Sequence, residues 1–274
     1  MKFFHLLACF SIILLGLVNL STNAQADFAQ TPQAPQALNF PATKDESYNW
    51  AGYVSVDAGV YTAISGTWTV PTPTDNDYNS DAAWVGIGGV TSDDLIQAGT
   101  LNSNGVTESW YETLPDVITP LPLRISPGDK VSVSLDWLSG NVWKLDFRND
   151  TTNKDYSTSI YYASSFSSAE WVEEMPSSNL GLMPLDDFGA VEFTSATTVE
   201  NGNTVTIDQS GAQPMDMVNP QGQVLARAST INPDGTSFTV SRTNAQALAQ
   251  TQSRSRRKRL NNQQNFWQFI FSFQ

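Results

Sequence analysis

Two residue types that carry much of protein nucleophilic and metal chemistry are nearly missing from this 274-residue chain, which has one His and one Cys. Both, His5 and Cys9, fall within the first ten positions. The opening MKFFHLLACFSIILLGLVNLSTNAQA has a single Lys, an apolar run from Leu6 to Leu20, and a small-residue end at Ala24-Gln25-Ala26. That is the layout of a secretory signal peptide cleaved after Ala26. The apolar run is short for a membrane-spanning helix, and Cys9 comes too early for a lipid-attachment site. Secretion therefore leaves a mature protein with neither His nor Cys. Ser-His-Asp and Cys-His nucleophilic systems lose an essential member. Zinc sites built on Cys and His are excluded, most catalytic zinc sites with them, and no disulfide can form. Hydrolytic chemistry would fall to carboxylates, amides, hydroxyls or an oxygen-bound metal such as calcium.

Carboxylates embedded in apolar strands are the natural candidates, because burial shifts their pKa and suits them to proton transfer. Three stretches have that character. In Ala83-Trp-Val-Gly-Ile-Gly-Gly89 followed by Leu95-Ile-Gln-Ala-Gly99, the amide of Gln97 interrupts an apolar run beside a Gly-rich turn. In Glu108-Ser-Trp-Tyr-Glu-Thr-Leu-Pro115, alternation puts Glu108, Trp110 and Glu112 on one face. In Ala169-Glu-Trp-Val-Glu-Glu-Met-Pro176, Glu170, Val172 and Glu174 share a face. Taken singly, each has an ordinary structural reading. A lone strand Gln usually sits at a surface, one of the adjacent Glu173 and Glu174 is ordinarily solvated, and Trp residues fill cores.

The elements that must position these residues read as strands. From Tyr48 to Thr243, short β-branched and aromatic runs alternate with turn signals such as Pro127-Gly128-Asp129, Ser139-Gly140-Asn141 and Asn201-Gly202-Asn203. In Lys130–Trp137 the positions Val131, Val133, Leu135 and Trp137 are expected to face one way. No amphipathic helix of useful length appears. The pattern implies an all-β antiparallel sandwich in a single domain over residues 47–243. Residues 27–46, rich in Pro, Gln and Ala, read as a flexible leader or short pro-segment. Residues 244–274 carry the basic cluster Arg254-Ser-Arg-Arg-Lys-Arg259 and a short aromatic end. They read as a disordered tail, with membrane contact as the alternative. All 27 acidic residues lie between Asp27 and Arg242, with only 8 basic ones. Such a surface argues against nucleic acid and suits an acidic working environment, where carboxylates protonate.

In combination these motifs are far more specific. Asn49-Trp-Ala-Gly52, Trp84-Val-Gly-Ile-Gly-Gly89, Leu95-Ile-Gln-Ala-Gly99, Trp110-Tyr-Glu112, Ser126-Pro-Gly-Asp129 and Ala169-Glu-Trp…Glu174-Met-Pro176 resemble, in order and spacing, the glutamic peptidases or eqolisins. The likeness is closer to the bacterial members than to the fungal ones. It implies a sandwich of two large sheets like that of the legume lectins, a Gln and Glu catalytic pair at Gln97 and Glu174, and no cofactor or metal. Trp84, Trp110, Asn49 and Trp50 would form the walls of the substrate cleft, and Glu112 would orient groups around the pair. The implied activity is that of a monomeric, acid-acting endopeptidase on polypeptides. Two departures stand out: Gly88 replaces the acidic residue of the family's G-I-D-G, and Thr113-Leu114 replaces an aromatic pair. The rival readings are a lectin-like carbohydrate-binding module, or a glycosidase using Glu112 and Glu174.

Overall fold

The computed structural model describes residues 46–56, 59–73, 79–178 and 181–243. The readings made for residues 1–26, 27–45 and 244–274 lie outside the described residues. Among the described residues eighteen strands follow in chain order. They are β1 (Glu46–Ser47), β2 (Trp50–Ser55), β3 (Tyr61–Thr69), β4 (Ser80–Gly88), β5 (Leu95–Ser103) and β6 (Val106–Thr113). Then come β7 (Thr119–Pro120), β8 (Lys130–Ser139), β9 (Val142–Asn149), β10 (Lys154–Tyr161), β11 (Ala169–Glu174) and β12 (Ser177–Ser178). The last are β13 (Gly181–Leu182), β14 (Ala190–Glu200), β15 (Asn203–Thr206), β16 (Gln213–Val218), β17 (Val224–Ala228) and β18 (Phe238–Arg242). Among the described residues there is no helix, as the alternating sequence pattern implies.

The main hydrogen-bonded path runs β10-β9-β8-β3-β14-β18-β17-β16-β2-β11-β4-β5-β6-β7. Its pairings are antiparallel; the short β1, off the path, lies parallel to β16. Strands β10, β9, β8, β3 and β14 form one layer and β2, β11, β4, β5, β6 and β7 the other, with β18, β17 and β16 carrying the path between them; β12 and β13 pair separately. The fold is thus the expected sandwich, made by one continuous sheet turning over on itself.

The two layers have different sequence textures for a physical reason. In β8, Val131, Val133 and Leu135 are buried while Ser132, Ser134 and Asp136 are partly exposed, the alternation of a strand with one wet face. Trp137 departs from the expected alternation: it is 38% exposed, past the core's edge, where its indole N–H donates to the Gly140 carbonyl. In β4, β5 and β11, by contrast, every residue is buried. The inner face of this second layer carries Ala83, Val85, Ile96, Ala98 and Trp171 into the main core. Trp171 donates to the Ser65 carbonyl of the first layer (2.8 Å), and Trp68 donates to Thr100 of the second (3.0 Å). These two bonds tie the layers together across a largely apolar interface.

The opposite face of the second layer holds a separate apolar cluster that includes Trp50, Val54, Trp84, Leu95, Trp110 and Val172. Two glycines allow its strands to come close. A side chain at Gly52, whose φ is +151°, would collide with the Trp171 carbonyl, and one at Gly99 with the Ala83 carbonyl and the base of Trp84. Because the obstacle is backbone, Gly99→Ala should destabilise the fold by about 1–3 kcal/mol. Urea unfolding at pH 4 would show it as a lower midpoint at unchanged slope.

Candidate active site

The residues singled out as site candidates lie in the second layer or at its edge; alternation brings those on the strands to one face, and Asn49, just before β2, reaches it from outside the strand. Glu174 at the end of β11 pairs in register with Trp50 of β2 and Ala82 of β4. Gln97 of β5 pairs with Gly86 of β4 and Glu112 of β6. Between these rows, Trp84, Gly99 and Trp110 form a third. The bare Gly99 leaves the two indoles on strands flanking a position without a side chain.

Three N–H donors converge on Glu174. Asn49 Nδ2 and Trp50 Nε1 donate to Oε1 at 2.7 and 2.5 Å, and Trp84 Nε1 donates to Oε2 at 2.8 Å. Trp50 and Trp84 meet edge to face, with ring centroids 5.0 Å apart. This geometry holds the carboxyl in one orientation. Complete burial pushes the Glu174 pKa well above the usual carboxylate range, and the nearby Glu112 adds to that. The two indoles and the Asn49 amide pull it back down.

Gln97 does not bond to Glu174. Its Nε2 donates to Glu112 Oε2 at 2.6 Å, and Gln97 Oε1 and Glu112 Oε1 have no partner among the described residues. Burial pushes the Glu112 carboxyl up to about 8, with the Gln97 hydrogen bond opposing. Below that pH Glu112 is neutral, which lets it sit beside Gln97 without an uncompensated charge. An amide nitrogen has two hydrogens. With one given to Glu112, the other is left to point elsewhere.

A further group was not legible as a cluster. Glu173, the neighbour for which solvation was the ordinary reading, is fully buried on the inter-layer side, with no hydrogen-bond partner for either oxygen among the described residues. Burial raises its pKa well above normal. Asp81, Glu174 and Asp186 add to the rise, and Arg242 offsets part of it. Asp81, buried in β4, is pushed up to about 8 by burial first, opposed by the Asn102 amide at 3.1 and 3.2 Å and reinforced by Asp186. The sequence signal was an acidic residue on the inward side of an apolar strand. Glu170, on the Glu174 side of β11, is likewise buried, and burial raises its pKa well above normal while the nearby Ser168 hydroxyl lowers it.

The departures from the family pattern also have local explanations. Gly88 has φ +95°, and a side chain there would collide with the Asp94 carbonyl, so the backbone has adapted to glycine. Leu114, in place of an aromatic, joins the apolar cluster. A sugar-stacking face would need exposed indoles, yet Trp50, Trp84 and Trp110 are 6, 0 and 1% exposed. A shallow groove on the first layer's outer face is lined by Thr67, Ser132, Ser134 and Arg148 among others. Several of its hydroxyls are already engaged, Thr67 with Ser132, Ser65 with Thr197 and Ser134 with Asp136. Among the described residues no group of three or more His, Cys, Asp or Glu could hold a metal ion, and no helix is long and apolar enough to cross a membrane.

Residues 48–242 match the Peptidase A4 family. Aspergillopepsin-2 of Aspergillus niger is 30% identical over 233 residues, 74% of this chain and 80% of that protein. Scytalidopepsin B of Scytalidium lignicola is 30% identical over 210 residues, 71% of this chain and 80% of that protein. Among solved structures, scytalido-glutamic peptidase with a transition state analog inhibitor superposes with a TM-score of 0.64 at 25% identity. The match covers 72% of this chain and 99% of that one. With a family match across nearly all of the sandwich and relatives that agree in both sequence and fold, this chain belongs to the Peptidase A4 family, the eqolisin glutamic endopeptidases.

Proposed function

We propose that this endopeptidase is secreted, acts in acid, and uses Glu174 and Gln97 as its working pair. Glu174 takes a proton from a water, which attacks the scissile carbonyl carbon, and the resulting carboxylic acid returns the proton to the departing nitrogen. The free N–H of the Gln97 amide receives the negative charge that develops on the carbonyl oxygen. Glu112, neutral below its pKa of about 8, holds the amide so that this N–H is presented in one direction. The observation that carries the reading is the convergence of Asn49, Trp50 and Trp84 on a single carboxyl in an otherwise apolar cluster. Such a set of donors is costly to assemble around a group that does nothing with its charge.

Acid action follows from the same groups. Water that reaches Glu174 also relieves the burial that raises its pKa, while the three N–H donors remain to favour the carboxylate. On the alkaline side Glu112 ionises near about 8, placing a second negative charge beside Glu174 and the developing oxyanion. Secretion rests on the opening MKFFHLLACFSIILLGLVNLSTNAQA. N-terminal sequencing of protein from the medium would then begin at Asp27.

The test is digestion of a denatured protein between pH 2 and 8 by the wild type and Gln97→Ala, both first shown to be folded by circular dichroism. Cleavage should be confined to the acid side, and Gln97→Ala should lower kcat by about 10²–10³, the usual loss of one oxyanion donor. An undiminished kcat in that variant would remove Gln97 from the chemistry.

A further inference from the structure

The strand ends that carry the Gln97 amide are tied together by a side chain from the opposite layer. Gln97 lies two residues into β5, and Glu112 lies one residue from the end of β6. Past Glu112 the ladder continues through the pair Ile96 and Thr113, then through the Leu114 N–H, which donates to the Leu95 carbonyl at 2.9 Å. The Tyr162 hydroxyl closes this end. It accepts from the Leu95 N–H at 2.9 Å and donates to the Leu114 carbonyl at 2.8 Å. A phenol has one hydrogen to give, and here it is committed.

Tyr162 is itself anchored on the first layer. It follows β10 directly, its N–H donates to the Asn141 carbonyl at the β8–β9 turn (2.7 Å), and its carbonyl accepts from the Trp143 indole (3.2 Å). Its ring packs against the main core, whereas Leu95 and Leu114 belong to the apolar cluster on the face of the site. The side chain therefore reaches from the first layer to the two backbones that flank the Gln97 and Glu112 pair. Burial pushes the phenol up to about 12, with the Leu95 N–H opposing and Asp94, Asp116 and Glu112 adding to the rise. The hydroxyl keeps its proton throughout the acid range, so the sense of both bonds is fixed.

The clamp matters because the Gln97 amide has one direction to keep. Its Nε2 stands 2.6 Å from Glu112 Oε2, a contact that depends on how closely the ends of β5 and β6 are held. A misplacement of about 1 Å can cost on the order of 10²-fold in rate. We propose that Tyr162 is a positioning residue, whose hydroxyl clamps the ends of β5 and β6 and so fixes where Gln97 presents its free N–H to the developing oxyanion. The inference rests on the Gln97 and Glu174 reading of the site. It adds a residue that needs no contact with substrate and acts only through the amide. An oxyanion forms only in the transition state, so the effect falls on kcat and leaves ground-state binding alone.

Tyr162→Phe in the full-length protein removes the hydroxyl and keeps the ring. At pH 4, well below the thermal midpoint, kcat should fall about tenfold with KM unchanged. The decisive measurement repeats the substitution in a Gln97→Ala background. Groups that act as a unit are not additive, so there Tyr162→Phe should change kcat by less than about twofold. A tenfold loss in both backgrounds would make Tyr162 a general support of the sandwich and overturn the proposal. Retained kcat, or a loss carried by KM, would overturn it equally. Circular dichroism should show the variant folded, with a thermal midpoint lowered by several degrees because the Leu95 N–H has lost its acceptor. A variant unable to fold would assign the hydroxyl to the whole fold and also overturn the local role. Gln97→Ala alone separates the two ideas. If it retains wild-type kcat, the reading beneath fails; if it is impaired while Tyr162→Phe is fully active, only the Tyr162 assignment falls.

Discussion

Glu174→Gln is expected to lower kcat by at least about 10³-fold, with KM little changed and the fold retained. The substitution is nearly isosteric, so it tests charge and proton transfer rather than packing. A Gln amide can still accept from two of the three converging donors, but its NH₂ then opposes the third, which costs stability. Against that, it removes an ionisable group from a site with no solvent exposure. These effects oppose one another, so the unfolding midpoint at pH 4 should move little while turnover collapses. Loss of kcat at constant KM is the mark of a group needed in the transition state and not for ground-state binding. A variant retaining more than about a tenth of wild-type kcat would place water activation elsewhere.

The second large effect concerns stability. Five buried carboxyls, those of Asp81, Glu112, Glu170, Glu173 and Glu174, have their pKa raised, burial being the first cause for each. In the unfolded chain they titrate near pH 4. A group whose folded pKa is higher than its unfolded one contributes stability that is fully present below the unfolded value. That contribution is lost as pH rises through the folded value. With Asp81 and Glu112 titrating near about 8 in the fold, the loss should run from about pH 4 to pH 8. Partly exposed Asp146 and exposed Asp234 shift the other way but are screened by solvent.

Glu173 is the sharpest probe of this window, because neither of its oxygens has a hydrogen-bond partner among the described residues and Asp81, Glu174 and Asp186 add negative charge around it. Arg242 is the compensating cation nearby, and its guanidinium also donates to the Asp186, Leu225 and Thr243 carbonyls. A carboxyl buried without a hydrogen-bond partner is costly to hold, most of all when charged, and an apolar side chain of similar size removes that cost. Glu173→Leu should therefore raise the melting temperature at pH 7 by several degrees and by much less at pH 4, since the carboxyl is neutral there. Differential scanning calorimetry from pH 3 to pH 8 measures the slope. A Glu173→Leu profile parallel to that of the wild type would show that this carboxyl does not set the pH dependence.

Much of this was written along the chain. The alternation in β8 and the turn glycines at 128, 140 and 202 announce antiparallel strands because the period of two is a local property of the backbone. The placement of Glu170, Val172 and Glu174 on one face, and of Glu108, Trp110 and Glu112 on another, follows from the same period. Trp137 shows its limit: the period predicts a face, but whether a face is covered at a given position depends on where the opposite layer ends. Glu173 shows the same limit from the other side. Its side was legible; its burial required knowing that β11 is central, flanked by β2 and β4 and covered by the first layer.

The residue types themselves determined the class of chemistry. A chain whose only His and Cys lie in its first ten residues leaves carboxylates and amides to do the work, and the order of its motifs singled out Gln97 and Glu174. Only the tertiary structure decided which polar groups meet. Asn49 and Trp50 reach Glu174 across about 125 residues of chain, Gln97 engages Glu112 rather than Glu174, and Trp110 alone among the described indoles is left without an acceptor. Hydrogen-bond pairing depends on register between strands far apart in sequence, which local periodicity does not encode. It is settled when glycines such as Gly52 and Gly99 let those strands close and the core behind them fixes their alignment.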